Sequence, residues 1–305
     1  MKQEAIKRIM FRQGEALYMR KIKFITDSTS DLTTDIYKKY DIDVLPLIVI
    51  LDGTEYRDGV DIKTAELYKK IEEKNVMPKT AAIAPKDFLI AFNQWLEKDY
   101  DIIYIGIGSK LSATYSNAIL AMEDIPEAKE RIRLIDSGNL STGISLTLLH
   151  GIDYAAAGHT LDEVAKEMER VVPLVRAQFV VEEMTYLYKG GRCSGLTYLM
   201  GKLVRARPFL QVIDGKIENT AAPKGKMIKG LNHQLDVFIE DYQTGIYLDR
   251  VFVTHSQTPE SAQYYIEKIK EVAPEANIIL TEAGCVISSH CGAGTIGILY
   301  IRKQA

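Results

Sequence analysis

Two patterns alternate along the chain, and this alternation constrains the fold more than any other feature. Short apolar runs rich in β-branched residues are followed by longer segments in which apolar residues recur every three or four positions. The first pattern is typical of buried parallel strands, and the second is typical of the helices that cover them. The sequence therefore predicts an α/β fold with a largely parallel sheet in its first half.

In the first half, four strands and five helices are predicted from these patterns. The strands are IKFIT at 22–26, DVLPLIVIL at 43–51, DIIYIGIG at 101–108 and IRLID at 132–136. The helices are at 31–40, 64–75, 85–98, 112–122 and 142–157.

A charged amphipathic helix that ends at Pro173, just before a new apolar run, predicts a domain boundary near residue 171. Beyond it, strands are predicted at 177–182, 209–218, 249–256, 277–284 and 295–303, and the Asp-Gly pair at 214–215 predicts a tight hairpin. The second half should thus hold a mixed, partly antiparallel sheet. We predict an extension at 1–20, an N-terminal α/β domain at 21–170 and a C-terminal α/β domain at 171–305.

The extension is polar and compatible with a helix. Its apolar residues could form a stripe that packs on the domain or touches a membrane transiently, and packing is the commoner role. They are Ile6, Ile9, Met10 and Leu17.

Composition narrows the functional classes. A net charge of -3 over 305 residues, from scattered acids and bases, argues against a nucleic-acid partner. Neither a membrane-spanning apolar run nor the apolar stretch of a signal peptide is present, so a cytoplasmic location is expected. The odd number of cysteines predicts free thiols at Cys193, Cys285 and Cys291.

Three units of the first half share one design, in which an apolar strand runs into a hydroxyl-rich turn and a helix follows. They are FITDSTSDLTTD, YIGIGSKLSATYSNA and RLIDSGNLSTGIS. In a parallel sheet these turns emerge at the carboxyl edge, where α/β proteins bind ligands and where helix N-termini favour small anions. Ser112 lies where the helix N-cap is expected, with Ser109 and Thr114 nearby. Plain helix capping, the commoner role of such hydroxyls, remains an alternative to ligand binding.

Several enzyme signatures are absent or broken. The sequence contains no G-x-x-x-x-G-K-[ST] loop and no G-x-S-x-G elbow, and GAGTIG at 292–297 leads into a predicted strand, where a dinucleotide site requires a helix. The histidines lack metal-ligand spacing, so no metal is expected. His290 and Cys291 would point to opposite faces of an extended chain, which favours a hydrogen-bonding role for His290 over a nucleophile pair.

The segment LYKGGRCSG predicts a tight turn that presents the guanidinium of Arg192. A guanidinium suits a carboxylate or phosphate ligand, but it equally suits an acidic partner across a domain interface. Spacing alone does not separate the two roles.

Seven motifs together resemble the DegV family in content and order: ITDSTSDL, VLPLIV, YRDGVDI, GSKLSATYSNA, IDSGNLSTG, LYKGGRCS and SSHCGAGTIG. The resemblance runs from about residue 21 to the end. It implies two α/β domains with an acyl chain in a buried tunnel, and a bacterial fatty-acid-binding protein of phospholipid metabolism. Several members act as the acyl-carrying subunit of fatty acid kinase.

The resemblance also implies which residues contact the ligand carboxylate. Ser112 and Thr80 match the head-group serine and threonine of the family, and His290 and Arg192 match polar residues of the same network. Ser28, Ser109 and Thr114 are candidates for an additional shell around the head group.

The chain departs from the family pattern at four places, which include Ala113 for glycine after Ser112 and Arg207-Pro208 for Lys-Pro. AAIAP at 81–85 replaces the Ser-Gln-Pro-like sequence that usually follows the threonine, and Gly-Ala-Gly at 292–294 replaces Gly-Pro-Gly.

The resemblance therefore predicts a non-catalytic carrier without cofactor or metal. It would bind a long-chain fatty acid such as palmitate or oleate and present its carboxylate to a separate ATP-dependent fatty acid kinase. Two alternatives remain open: a stand-alone acyl or phosphoryl transfer enzyme with His290 as base, and a lipid-sensing regulatory protein.

Overall fold

The computed structural model describes residues 8–12, 15–182, 184–192 and 206–303. The strands in this part of the chain are β1 Arg8–Arg12, β2 Glu15–Met19, β3 Ile22–Asp27, β4 Asp43–Leu45, β5 Ile48–Leu51, β6 Thr54–Arg57, β7 Lys79–Ala81, β8 Asp101–Gly106, β9 Ile132–Asp136, β10 Val175–Val180, β11 Phe209–Ile213, β12 Lys216–Ala221, β13 Val251–His255, β14 Ile278–Glu282 and β15 Ile296–Ile301. The α-helices are α1 Thr34–Lys39, α2 Thr64–Lys74, α3 Pro85–Leu96, α4 Thr114–Glu123, α5 Ala128–Arg131, α6 Thr142–Ala156, α7 Leu161–Val171, α8 Thr185–Lys189, α9 Met227–Thr244, α10 Pro259–Val272 and α11 Cys285–Cys291.

A four-stranded parallel sheet, ordered β4-β3-β8-β9, forms the centre of the first half. Successive residues of β8 point to opposite faces of the sheet, and both faces are buried. Ile102 contributes to a cluster with Phe88 of α3, whereas Ile103 contributes to a cluster with Ile144 of α6. This two-sided burial explains why the strands read as continuous apolar runs, and the predicted α/β class is confirmed.

The predicted strand at 43–51 is wrong as a single element. Its two halves, β4 and β5, separate at Pro46 and join different sheets, because proline lacks the N–H that a continuous ladder requires. Strand β5 is the middle of an antiparallel sheet ordered β6-β5-β7. The sequence reading missed β6 and β7, which are short and largely polar.

The second half contains a mixed sheet ordered β12-β11-β10-β15-β13-β14, in which only the β13–β14 pair is parallel. The predicted mixed sheet is thus confirmed. Asp214 and Gly215 form the predicted hairpin turn with φ of 49° and 75°, the left-handed pair that a two-residue turn requires. Residues 292–295 lead into β15, as expected for a sequence that is no dinucleotide fingerprint.

The prediction of a helical extension is wrong. Strands β1 and β2 pair antiparallel in the register Arg8 to Met19. Ile9, Phe11 and Tyr18 are residue types that favour strands, and hairpin pairing satisfies backbone groups that a short polar helix would leave to solvent. The packing predicted for Ile6, Ile9, Met10 and Leu17 lies outside the described side chains.

The chain leaves α7 at Val171 through a 3₁₀ turn, Val172–Leu174, that contains Pro173. This turn lies at the predicted domain boundary, which itself remains a prediction. One apolar cluster includes residues from both sides of that point, such as Val164, Phe179 and Leu299. Within the described part of the chain, no helix combines the length and apolarity needed to cross a bilayer.

Candidate functional site

The three hydroxyl-rich turns meet at the carboxyl edge of the parallel sheet, as predicted. The amide of Ile107, at the end of β8, donates to Asp27 Oδ2 in the first turn (2.9 Å). The amide of Gly108 donates to the carbonyl of Asn139 in the third turn (2.8 Å). Hydrogen bonds therefore join each turn to its neighbour, and the edge forms one connected surface.

Ser112 lies one residue earlier relative to its helix than the sequence suggests. Residues 108–112 form an extra turn, in which the amide of Ser112 donates to the carbonyl of Gly108, so that Ala113 becomes the N-cap of α4. The hydroxyl of Ser112 accepts from the amide of Thr114 (3.2 Å) and contacts the Thr114 hydroxyl (2.9 Å). The prediction of an N-cap is wrong, although Ser112 does bind the first helical amide.

Thr80 and His290 are brought together from positions far apart in the sequence. Thr80 is half-buried on β7, and its Oγ1 lies 2.9 Å from Nε2 of His290 in the last turn of α11. The two residues are therefore neighbours, and their role in holding a head group stays a prediction. The helix α11 also corrects the assumption of an extended chain at His290 and Cys291.

Cys291 is unsuited to nucleophilic chemistry. Its thiol is buried, and burial raises its pKa to about 12. A thiolate is therefore disfavoured at neutral pH. Cys285 and Cys291 are free thiols as predicted, and Cys193 lies outside the described residues.

Arg192 connects the histidine to the turn that carries Ser112. Its guanidinium donates to the carbonyl of Gly190 (2.6 Å) and to the carbonyl of Leu111 (3.0 Å). An added Cβ on Gly190 would lie 2.3 Å from His290 Nδ1, which shows how closely this backbone approaches the imidazole. Among the described residues, no carboxylate lies within ion-pair distance of Arg192. The role of Arg192, as a ligand contact or as an interface residue, stays a prediction.

Burial and the nearby Arg192 charge lower the pKa of His290 to about 4. The imidazole is thus neutral at physiological pH. Nε2 faces Thr80, whereas the buried Nδ1 has no hydrogen-bond partner among the described residues. A neutral imidazole can direct the threonine hydroxyl without adding a second positive charge to that of Arg192.

Two of the candidate residues have partners elsewhere. Ser28 accepts from the amide of Leu47 (3.1 Å) and interacts with the carboxyl group of Asp58. Ser109 is exposed, and its hydroxyl donates to Asp136. Contacts link Thr80, His290 and Arg192 to the turn that ends at Ser112, next to Thr114, whereas the side chains of Ser28 and Ser109 bond to other groups.

A narrow apolar cavity of about 60 Å³ adjoins His290. Its apolar walls include Leu140, Phe179, Leu187, Ile217, Ile287 and Leu299. Hydroxyl residues also line it, but their oxygens are bonded to other groups: Ser141 donates to Asp31, and Thr295 donates to the carbonyl of Cys291. The cavity is therefore suited to a hydrocarbon, and His290 is the head-group candidate that lines it.

Sequence reasoning missed the role of Asp31 and Asp58, two buried acids in the motifs ITDSTSDL and YRDGVDI. Both contact the beginning of α11, the helix that ends beside His290. Their position in motifs shared with a family was the available signal, but nothing local connected them to a helix more than 200 residues away. In the part of the chain described, no group of three or more metal-ligating side chains occurs.

Comparison with known proteins finds relatives over most of the chain. A family profile described as "Uncharacterised protein, DegV family" matches residues 21–303. A DegV domain-containing protein of Clostridium acetobutylicum is 32% identical over 285 residues, covering 93% of this chain and 100% of the relative.

Two solved structures have a similar fold. One is a Thermus thermophilus DegV family protein described for its fatty acid binding, with a TM-score of 0.84 and 28% identity over 93% of this chain and 100% of that chain. The other, from Thermotoga maritima, was described as revealing a fatty acid binding function. Its TM-score is 0.81, with 27% identity over 93% of this chain and 99% of that chain.

Proposed function

Since this chain belongs to the DegV family, we propose that it binds a long-chain fatty acid and presents the carboxylate to a separate ATP-dependent kinase. The observation that carries the proposal is the pairing of Thr80 with His290 beside an apolar cavity. Arg192 extends the polar group to the turn of Ser112. An anionic head and a hydrocarbon tail are the two parts of a ligand that such a site fits.

The head group would be held chiefly by neutral donors. With Nε2–H of His290 donating to Thr80 Oγ1, the threonine hydroxyl hydrogen is free to point at a carboxylate oxygen. Ser112 offers a second hydroxyl, and Arg192 supplies a positive charge nearby. Hydroxyl contacts orient the carboxylate while leaving it less tightly paired than a direct bidentate ion pair would. This suits an oxygen that must later attack a phosphoryl group.

The tail would supply most of the affinity, because each buried methylene contributes about 0.8 kcal/mol. A cavity of about 60 Å³ is smaller than the roughly 300 Å³ or more of typical ligand pockets. Binding a long chain therefore requires the apolar side chains around it to change rotamer. Such adjustment is easier for Leu and Ile side chains than for backbone.

Presentation to a kinase requires that the carboxylate be reachable. Thr80, Ser112 and Arg192 are each half-buried, so the polar end of the site lies near the surface. The sequence has no P-loop of its own. We therefore assign ATP binding to a partner protein.

The first test is native mass spectrometry of the purified protein, followed by identification of any extracted ligand and titration with palmitate and oleate. We expect a co-purifying or added acyl chain at one per protein. A protein that retains no acyl chain and binds neither acid would contradict the proposal.

Ser112→Ala tests the head group. Loss of a hydrogen bond to a charged group costs about 1.5–3 kcal/mol, so palmitate binding should weaken by about tenfold or more. Acyl phosphate formation with a cognate kinase should fall with it. Ser116→Ala, on the exposed face of α4, is the matched control and should leave both unchanged. Equal palmitate affinity in the two variants would argue against a contact between Ser112 and the carboxylate. Separately, ATP hydrolysis by the isolated chain would favour the alternative that the protein is an enzyme.

A further inference from the structure

The helix that carries His290 begins on two buried aspartates from the first half of the chain. The amide of Gly284, the N-cap of α11, donates to Asp31 Oδ1 (2.8 Å). The amides of Cys285 and Val286 donate to Asp58 Oδ1 (2.8 Å) and Oδ2 (3.3 Å). Asp31 and Asp58 are only 5% and 3% exposed. Three successive amides at the start of the helix are thereby satisfied by side chains that no local sequence provides.

This arrangement requires close approach. A Cβ added to Gly284 would lie 3.2 Å from both Asp31 Oδ1 and Asp58 Oδ2, so the backbone rests between the two carboxyl groups. Both oxygens of Asp58 act as acceptors, which favours its ionised form, although burial raises its pKa. Negative charge at this end also complements the helix dipole.

Other contacts to α11 and to the residue before its N-cap come from the first half of the chain. Thr64 donates its hydroxyl to the carbonyl of Ala283 (2.7 Å), and the hydroxyl of Tyr68 donates to the carbonyl of Ser288 (3.3 Å). A helix of seven residues is too short to be stable alone. Its position, and with it the position of the imidazole in its last turn, therefore depends on these partners.

We propose that Asp58 and Asp31 are positioning residues that fix α11 so that Nε2 of His290 meets the hydroxyl of Thr80. They act through the helix and do not touch the ligand. The functional consequence rests on the proposed function, in which His290 and Thr80 hold the carboxylate. The YRDGVDI motif, otherwise distant from the head group, thereby acquires a role in the site.

Asp58→Asn is the direct test, because an amide keeps the shape but turns an NH₂ group toward one of the two helix amides. Asp52→Asn is the matched control with the same change of charge. Asp52 lies in the exposed turn between β5 and β6, and Asp58 directly follows β6. We expect Asp58→Asn to raise the His290 pKa measured by NMR in ligand-free protein by about one pH unit or more, because a less ordered helix hydrates the imidazole. Palmitate affinity should fall about threefold or more. The control should change neither.

Gly284→Ala perturbs the same contact from the other side and keeps both carboxyl groups. Its φ of -65° suits alanine, so the variant should fold. The new methyl group must push the carboxyl groups or the helix by a few tenths of an ångström. We therefore expect a smaller rise of the His290 pKa and a smaller loss of palmitate affinity than in Asp58→Asn.

The proposal is overturned if both folded variants keep the wild-type His290 pKa and palmitate affinity, even if their unfolding midpoints fall. That result would mean that the aspartates stabilise the fold without positioning the histidine. Failure of the wild-type protein to bind palmitate would instead count against the proposed function. The NMR measurement needs no ligand and would still decide the positioning.

Discussion

At the scale of single residues, His290 has the environment that most distinguishes this site. Its imidazole packs against the backbone at Gly190 and contacts Thr80. Burial and Arg192 lower its pKa from 6.5 to about 4. The residue type and its neighbouring glycines were visible in the sequence, but the pKa depends on groups that only folding brings near.

The lowered pKa of His290 predicts a pH dependence of stability. Between about pH 4 and pH 6.5 the unfolded chain binds more protons at this residue than the folded chain, so stability rises with pH through this window. The contribution is complete above the unfolded pKa and is lost as the pH falls toward 4. It amounts to at most roughly 3 kcal/mol.

Urea unfolding of wild type and His290→Gln at pH 7 and pH 4.5 measures this contribution. We expect the wild type to lose more free energy of unfolding on acidification than the variant. Parallel losses in the two proteins would show that His290 titrates normally in the folded state.

At the scale of elements, prediction from the sequence succeeded best for helices whose ends and apolar faces are set by neighbouring residues. Helix α7 has a capping box, in which Thr160 Oγ1 accepts from the amide of Glu163 and the Glu163 carboxylate accepts from the amide of Thr160. Helices α2 and α6 begin at the predicted residues, Thr64 and Thr142, although the side chain of neither N-cap residue bonds a helix amide. The strands β6 and β7 escaped prediction because their polar residues gain order only from pairing with β5.

Thr160→Ala should lower the free energy of unfolding by about 1 kcal/mol, because it removes the acceptor at the N-cap of α7. Thr244→Ala, at the C-terminal end of α9, makes the same change where the hydroxyl only donates to the carbonyl of Asp241. Chemical denaturation of both should show the larger loss at Thr160. An equal or smaller loss there would mean that the capping box contributes little.

At the scale of the whole molecule, buried hydroxyl groups join the helices of the first half to the mixed sheet of the second. Thr254 of β13 contacts the hydroxyl of Thr142 in α6 (2.7 Å) and the hydroxyl of Thr281 in β14 (2.8 Å). These polar contacts lie inside a mainly apolar core. They favour one relative placement of the elements, because any other would leave buried hydroxyls unpaired.

Thr254→Val should destabilise the protein by about 1–3 kcal/mol, since it leaves two buried hydroxyls short of a partner. Thr26→Val is the matched control: Thr26 is also buried on a strand, but its hydroxyl has no partner among the described residues. We expect that variant to be neutral or more stable in thermal or urea unfolding. A larger loss of stability in Thr26→Val than in Thr254→Val would contradict the importance of the hydroxyl contacts.

Local patterns in the sequence account for the α/β class, most strands and helices, the tight turn at Asp214 and Gly215, and the meeting of three hydroxyl-rich turns at one sheet edge. These follow from periodicity and turn chemistry, which act over a few residues. No local pattern accounts for the contact of Thr80 with His290, for the contact of Arg192 with the turn of Ser112, or for the hydrogen bonds of Asp31 and Asp58 to the helix of His290. Those contacts join residues dozens to hundreds of positions apart. Chain packing, rather than any local preference, creates them.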